Sequence, residues 1–230
     1  MANFYGQYVG FGAGVSGAGG FAFGGENYGF VCGNQAGNNI NRFSFASGTQ
    51  SGEDWDDMTG SGRYTRSGHS DKANTYSYSS GGYGPLINEI GRFSMVSSGT
   101  SNDVGDLTQV TSGAASATNA THCYSIGQEY TAGAGGDGTV VSRWAFAASV
   151  DASDWSDLMG AQYSGGGATN GDGSYGYMQG GGNPTMSRIQ KVNLTAQATA
   201  EAVGETTQDR HSSGGNSSST HGYCVAGYIA

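Results

Sequence analysis

Glu89-Ile90-Gly91-Arg92-Phe93-Ser94-Met95-Val96-Ser97 is a segment that the chain repeats. The other copies are Asn39-Ile40-Asn41-Arg42-Phe43-Ser44-Phe45, Val140-Val141-Ser142-Arg143-Trp144-Ala145-Phe146 and Arg188-Ile189-Gln190-Lys191-Val192-Asn193-Leu194. Ile40, Ile90, Val141 and Ile189 share one column, and Phe43, Phe93, Trp144 and Val192 share another. Arg42, Arg92, Arg143 and Lys191 form a cation column, with steps of 50, 51 and 48 residues between them. Short alternation of aromatic and β-branched residues is the signature of a strand.

About eleven residues further on, each copy carries an acidic segment. These are Asp54-Trp55-Asp56-Asp57-Met58, Asp103-Val104-Gly105-Asp106-Leu107, Asp154-Trp155-Ser156-Asp157-Leu158 and Ala202-Val203-Gly204-Glu205-Thr206. A third set is aromatic and ends in glycine: Tyr76-Ser77-Tyr78, His122-Cys123-Tyr124, Tyr175-Gly176-Tyr177 and His221-Gly222-Tyr223. A fifth member, Tyr28-Gly29-Phe30, lies upstream. Glycine and Asn/Ser/Thr clusters between these segments, such as residues 165–173, read as turns and loops. The alanine-rich residues 195–203 are the best helix candidate, but their alignment with the acidic segments argues for loop and strand.

Units of 45–50 residues with several strands each have the size of a propeller blade. The expected fold is all-β, a five-bladed β-propeller of about 46 residues per blade. In that arrangement residues 3–9 form a closing strand beside the C-terminal Tyr223, so both termini pin the ring. Four blades plus an N-terminal extension is the alternative, and a β-solenoid ranks third. The repeat frame divides one domain, 1–230, into a partial unit 1–38 and units 39–87, 88–138, 139–184 and 185–230.

Two of these columns invite pairing. Arg42, Arg92, Arg143 and Lys191 face a matching acidic column of Asp57, Asp106, Asp157 and Glu205, which reads as one structural ion pair per unit.

Composition narrows the function. The chain has 230 residues, 44 glycines and a net charge of −9. Binding to phosphate backbones calls for basic clusters, and the sequence has none, so no nucleic-acid partner is expected. No basic n-region or apolar h-region opens the chain, and no apolar run reaches membrane-spanning length, so neither a signal peptide nor membrane insertion is expected. Cys32, Cys123 and Cys224 are widely spaced and read as buried thiols of a protein made in a cytoplasm. His122 and His221 share a column with Tyr28, Tyr76 and Tyr175, a packing slot rather than a ligand set. His69 and His211 complete the histidines. No catalytic motif is legible, so no enzyme activity, metal or cofactor is expected. The carboxylates around Trp55 and Trp155 recur with the repeat, unlike a glycosidase pair.

The segments at Arg92, at Asn102-Asp103-Val104-Gly105-Asp106-Leu107-Thr108 and at Ser218-Ser219-Thr220-His221-Gly222-Tyr223 resemble the kelch-like and RCC1-like repeats of tail-fibre and virion proteins of marine phages, especially cyanophages. The resemblance runs from about residue 21 to the end. It implies a virion component, a tail fibre, tail appendage or capsid decoration, with other virion proteins as partners and homo-oligomers compatible with the role. Within it, host-surface glycan or receptor binding would use loop aromatics: Tyr64, Tyr83, Tyr130 and Tyr163. The alternatives are a purely architectural virion subunit and, behind it, a glycan-degrading enzyme.

Overall fold

The computed structural model describes residues 28–33, 37–45, 52–59, 66–71, 75–84, 86–99, 101–128, 138–146, 149–182 and 186–229. Among these the protein is all-β, with seventeen strands in antiparallel sheets and no helix. The expected closing strand, residues 3–9, lies outside the described residues.

The hydrogen-bonded unit is a four-stranded meander, seen whole three times. The first sheet of this kind runs β4 (Ser67–Ser70), β5 (Tyr76–Ser80), β6 (Ile87–Ser94) and β7 (Asn102–Thr111). The second runs β8 (Ala115–Thr118), β9 (His122–Ile126), β10 (Val140–Ala145) and β11 (Ser153–Asp157). The third runs β12 (Gly166–Thr169), β13 (Tyr175–Gly181), β14 (Met186–Asn193) and β15 (Glu201–Arg210). Ahead of them stands a three-stranded sheet of β1 (Tyr28–Cys32), β2 (Asn39–Ser44) and β3 (Glu53–Asp57). Behind them stands a hairpin of β16 (Gly214–Ser217) and β17 (Gly222–Val225).

The aromatic, Arg-Phe and acidic segments are thus second, third and fourth strands. The frame read from the sequence starts at a third strand and ends after the second strand of the next sheet. Residues 165–173, read as turn and loop, contain the first strand β12. The physical reason is a close approach of backbones. An added Cβ on Gly166 would lie 2.7 Å from the Gly214 carbonyl oxygen, and one on Gly167 would strike the Ser116 carbonyl. First strands of successive sheets therefore use small residues and give no apolar alternation. Residues 195–203 form no helix; they lead into β15, which starts at Glu201.

Local chemistry recurs at each corner. A left-handed residue closes each second strand: Gly33, Gly81, Gly127 and, at φ 57°, Ala226 directly follow it, while Gly180 sits at the register shift just before the last residue of β13. Turns between first and second strands are closed by a side-chain oxygen on the backbone. Asp71 accepts from Thr75 N (3.0 Å), Asn119 from His122 N (2.9 Å), Asn170 from Tyr175 N (2.8 Å) and Ser218 from His221 N (3.0 Å). These are the Asx and Ser turns expected of such residues. Third and fourth strands are joined through register shifts, at Ile40/Asn41, Val141/Ser142 and Ile189/Gln190. The extra residue opposite the first two shifts is Trp55 and Trp155. A bulge re-aims a side chain, and here each indole N–H donates to the next sheet, Trp55 to Ser94 O (2.9 Å) and Trp155 to Asn193 O (2.8 Å).

Among the described residues the core is divided into three clusters, each between successive sheets. Phe30, Ile40 and Met58 meet Phe93 and Met95. Tyr78, Ile90, Val104 and Leu107 meet Cys123 and Trp144. Tyr124, Ile126, Val141, Trp155 and Leu158 meet Met178, Val192 and Leu194. Tyr78 donates its hydroxyl to Phe146 O at 2.7 Å and Tyr124 to Leu194 O at 2.6 Å. At the outer edge Ser101 N donates to Asp57 O, Ala152 N to Asp106 O and Ala200 N to Asp157 O.

Gly167→Ala is expected to destabilise the protein by about 1–3 kcal/mol, the usual range for overpacking. Gly204, whose added Cβ would meet nothing within 4 Å, is the control. Gly204→Ala should stay within about 0.5 kcal/mol of wild type. Urea-denaturation midpoints check both. Tyr124→Phe leaves the Leu194 carbonyl with only Asn119 Nδ2, at 3.1 Å. A loss of about 0.5–1.5 kcal/mol follows.

Candidate functional site: the loop end of the sheets

Connections between second and third strands, and between fourth strands and the next first strand, emerge at the same end of the sheets. Gly82 N donates to Thr111 O (2.7 Å), Ser164 N to Gly113 O (2.6 Å) and Gly182 N to Tyr163 O (2.8 Å). Two of the four sequence-predicted tyrosines lie here. Tyr83 is on the β5–β6 connection with 39 % of its surface exposed. Tyr163 is on the β11–β12 connection and is half-buried, bridged to Gly182 with its ring over that glycine. Tyr64 and Tyr130 lie outside the described residues.

This end is supported from beneath by buried amides that the sequence reading missed. Gln162 Nε2 donates to Gly180 O and, at 3.2 Å, to Arg188 O. Gln190 Nε2 donates to Gln162 Oε1 at 2.6 Å, and Gln190 Oε1 accepts from Met159 N at 2.8 Å. Arg66, also buried, pairs with Glu89 at 3.4 Å and donates to Ser79 Oγ at 2.9 Å. None of these positions recurs as a residue type from unit to unit, so no repeat column drew attention to them.

The cation column does not pair as expected. Arg42 bonds Glu53, and Lys191 pairs with Glu201 at 2.5 Å. Register explains this: Arg42 lies opposite Glu53 and Lys191 opposite Glu201, whereas Asp57 lies opposite Asn39 and Glu205 opposite Arg188. In the middle sheets the residues opposite Arg92 and Arg143 are Asn102 and Ser153. Every cation of the column instead stacks on an aromatic ring. Arg42 sits 4.3 Å over Tyr28 and 3.7 Å over Trp55, Arg92 4.7 Å over Tyr76, Arg143 3.9 Å over Trp155 and Lys191 4.7 Å over Tyr175. The acidic residues gather with one another. Desolvation, then neighbouring Asp103, Asp151 and Glu89, raise the Asp106 pKa. Desolvation and Asp157 raise that of Asp154. Asp157 accepts from Thr139 Oγ1 at 3.1 Å.

His122 and His221 each bond the preceding threonine hydroxyl and lie near the tyrosine two residues on. Among the described residues, no three His, Cys, Asp or Glu side chains gather as a metal site. No helix there is long and apolar enough to cross a membrane. Cys32, Cys123 and Cys224 are free thiols, and burial pushes that of Cys123 well above its ordinary value.

His69 is the most perturbed histidine. It is buried in β4, edge-on to Trp144 at 4.7 Å, and Nε2 lies 3.3 Å from Ser80 Oγ. Burial lowers its pKa to about 3. An unfolded histidine titrates near ~6.5, so between those values the unfolded chain binds the extra proton. This contribution to stability is complete above about pH 6.5 and falls by up to about 1.4 kcal/mol per unit as pH drops toward 3. In His69→Ala, which places the residue of the Ala117 and Ala168 columns there, chemical denaturation over that window should lack this slope.

No family model matches the chain, and no curated protein matches it.

Proposed function

We propose that the chain is a structural protein of a phage particle, a tail fibre, tail appendage or capsid decoration, that acts by binding host-surface glycan or receptor through its loop end. The sheets are read as blades of a β-propeller. Support for that reading comes from the wedge between successive sheets: first strands approach backbone to backbone, while second and third strands are held apart by Tyr78, Trp144, Tyr124 and Trp155. The count is five blades when residues 3–9 supply a closing strand, and four with an N-terminal extension otherwise.

The observation that carries the binding role is the exposed Tyr83 on a connection pinned by Gly82 N to Thr111 O. An amphipathic ring on a braced loop suits a sugar face, and rigid scaffolds commonly present binding residues on loops. The exposed C-terminal Tyr223 and Val225 favour a second reading, an architectural subunit that contacts other virion proteins.

Labelled protein incubated with candidate host cells should be retained, and free surface polysaccharide should compete it off. Tyr83→Ala should weaken retention roughly 3–10-fold, the loss of one aromatic contact of about 0.5–1.5 kcal/mol. Absence of retention at micromolar concentration would leave the architectural reading in its place.

A further inference from the structure

The three boundaries that carry core clusters differ in the layer just beneath the loop end. Register sets the equivalent positions. Ser79 pairs with Gly91, Ser125 with Ser142 and Met178 with Gln190. Arg66, Ala114 and Gly165 each stand just before a first strand. Gly82 N donates to Thr111 O as Gln128 N does to Gln162 O, so Thr111 matches Gln162 and Gln128 matches Gly82. Between the β1–β3 and β4–β7 sheets, the Arg66 guanidinium fills this layer, donating to Ser79 Oγ at 2.9 Å and to Thr59 O at 3.5 Å. Between the β8–β11 and β12–β15 sheets, Gln162 and Gln190 fill it and bond each other at 2.6 Å, and Ile126 and Met178 share one apolar cluster.

Between the β4–β7 and β8–β11 sheets the same positions are small and polar. Ala114 stands in place of the arginine and Thr111 in place of Gln162, while Ser80 and Ser125 occupy the columns of Ile126 and Met178. Thr111 is 1 % exposed, Ser125 0 % and Gln128 2 %. Yet Thr111 Oγ1, Ser125 Oγ and both amide atoms of Gln128 meet no hydrogen-bonding partner in the protein. The Gln128 side chain starts beside Thr111, since an added Cβ on its counterpart Gly181 would lie 2.7 Å from Gln162 Cγ. Thr108 and Ser142, the next hydroxyls along this layer, use each other at 2.7 Å. Buried hydroxyls and amides in folded proteins have partners, from the protein or from ordered water.

We propose that the layer between the β4–β7 and β8–β11 sheets is an internal hydration site, in which Thr111, Ser125 and Gln128 hold ordered water. The donor set selects this ligand. Two hydroxyls and a carboxamide offer both donors and acceptors and no charge. A cation would meet no carboxylate, because Val140 stands where the first boundary has Glu89. An apolar ligand would leave all four atoms unpaired. Water donates and accepts, and a buried water bonds about three otherwise unpaired groups. One layer is thus filled in three ways, by a guanidinium, by water and by a pair of amides. This inference rests on the packing of sheets and not on host binding, so a failed cell assay leaves it untouched.

Magnetic relaxation dispersion of the solvent water, whose amplitude reports waters held inside a protein for longer than its tumbling time, tests it on the full chain. Wild type is compared with Thr111→Val, with Ser125→Ala and with the two combined. Each change removes one hydroxyl and little or no volume, so the variants should keep the wild-type circular dichroism spectrum. The dispersion amplitude should fall in the combined variant, and a fall in either single variant places the water at that hydroxyl. Urea midpoints should fall with it, because the water loses a partner. An amplitude that the combined variant retains in full overturns the proposal. The midpoints should then hold or rise, since replacing a dry, unpaired hydroxyl by an apolar group of the same shape is neutral or stabilising.

Discussion

Face-to-face burial between successive sheets is the constraint from which the rest of this structure follows. A sheet here has apolar side chains on both faces: Ile90 and Tyr78 point forward while Phe93 and Met95 point back. No sheet can bury both faces by itself, so each core cluster belongs to a pair of sheets. Such a chain has nearly additive nearest-neighbour energetics, as in other repeat architectures. In the C-terminal hairpin, which no further described sheet covers, the same columns become exposed at Tyr223 and Val225.

Polar groups reach across the same boundary and fix its register. A tyrosine hydroxyl or an indole N–H meets a carbonyl at the end of the third strand of the next sheet, on its last residue at Ser94 or Asn193 or one residue past it at Phe146 or Leu194. These carbonyls stand at a strand end, where no ladder partner consumes them. The bulge in the third–fourth pairing is what turns Trp55 and Trp155 toward them. One local irregularity therefore serves long-range order, and the tryptophan segments repeat with the sheet because the carbonyl they reach repeats with it.

The second, third and fourth strands were legible in the sequence because their columns carry bulk: Tyr78, Ile90 and Trp155 announce themselves by alternation and recurrence. The first strand was not. Gly166, Gly167 and Gly215 are chosen for what they lack, since the neighbouring backbone occupies the place of a side chain. Glycine and serine there look like loop, and only the three-dimensional approach distinguishes them. The loop end was legible at its tips, Tyr83 and Tyr163, and opaque beneath, where Gln162, Gln190 and Arg66 brace single units with no repeat to mark them. The ion-pair expectation failed on register: Asp57 lies opposite Asn39, three residues from Arg42, and the bulge between the two strands sets Glu53 rather than Asp54 opposite Arg42, a pairing that columns alone do not reveal.

The cation column shows how a charged position can repeat for packing rather than for charge pairing. Among the described residues an acidic partner is present only for Arg42 and Lys191, whose side chains remain 18 % and 25 % exposed beside glutamates that are 57 % and 63 % exposed. Pairs so open to water contribute about 0–1 kcal/mol. The aromatic partner is present in all four sheets, and a cation over a ring contributes about 0.5–2 kcal/mol depending on its desolvation. Stacking is the constant and the ion pair the accessory. The long side chain lies over Tyr28, Tyr76, Trp155 or Tyr175 at the open margin of each aromatic layer, its stem covering apolar surface while its head stays near water. Charge at this position serves packing, which is why arginine can give way to lysine at Lys191 while the ring beneath it remains.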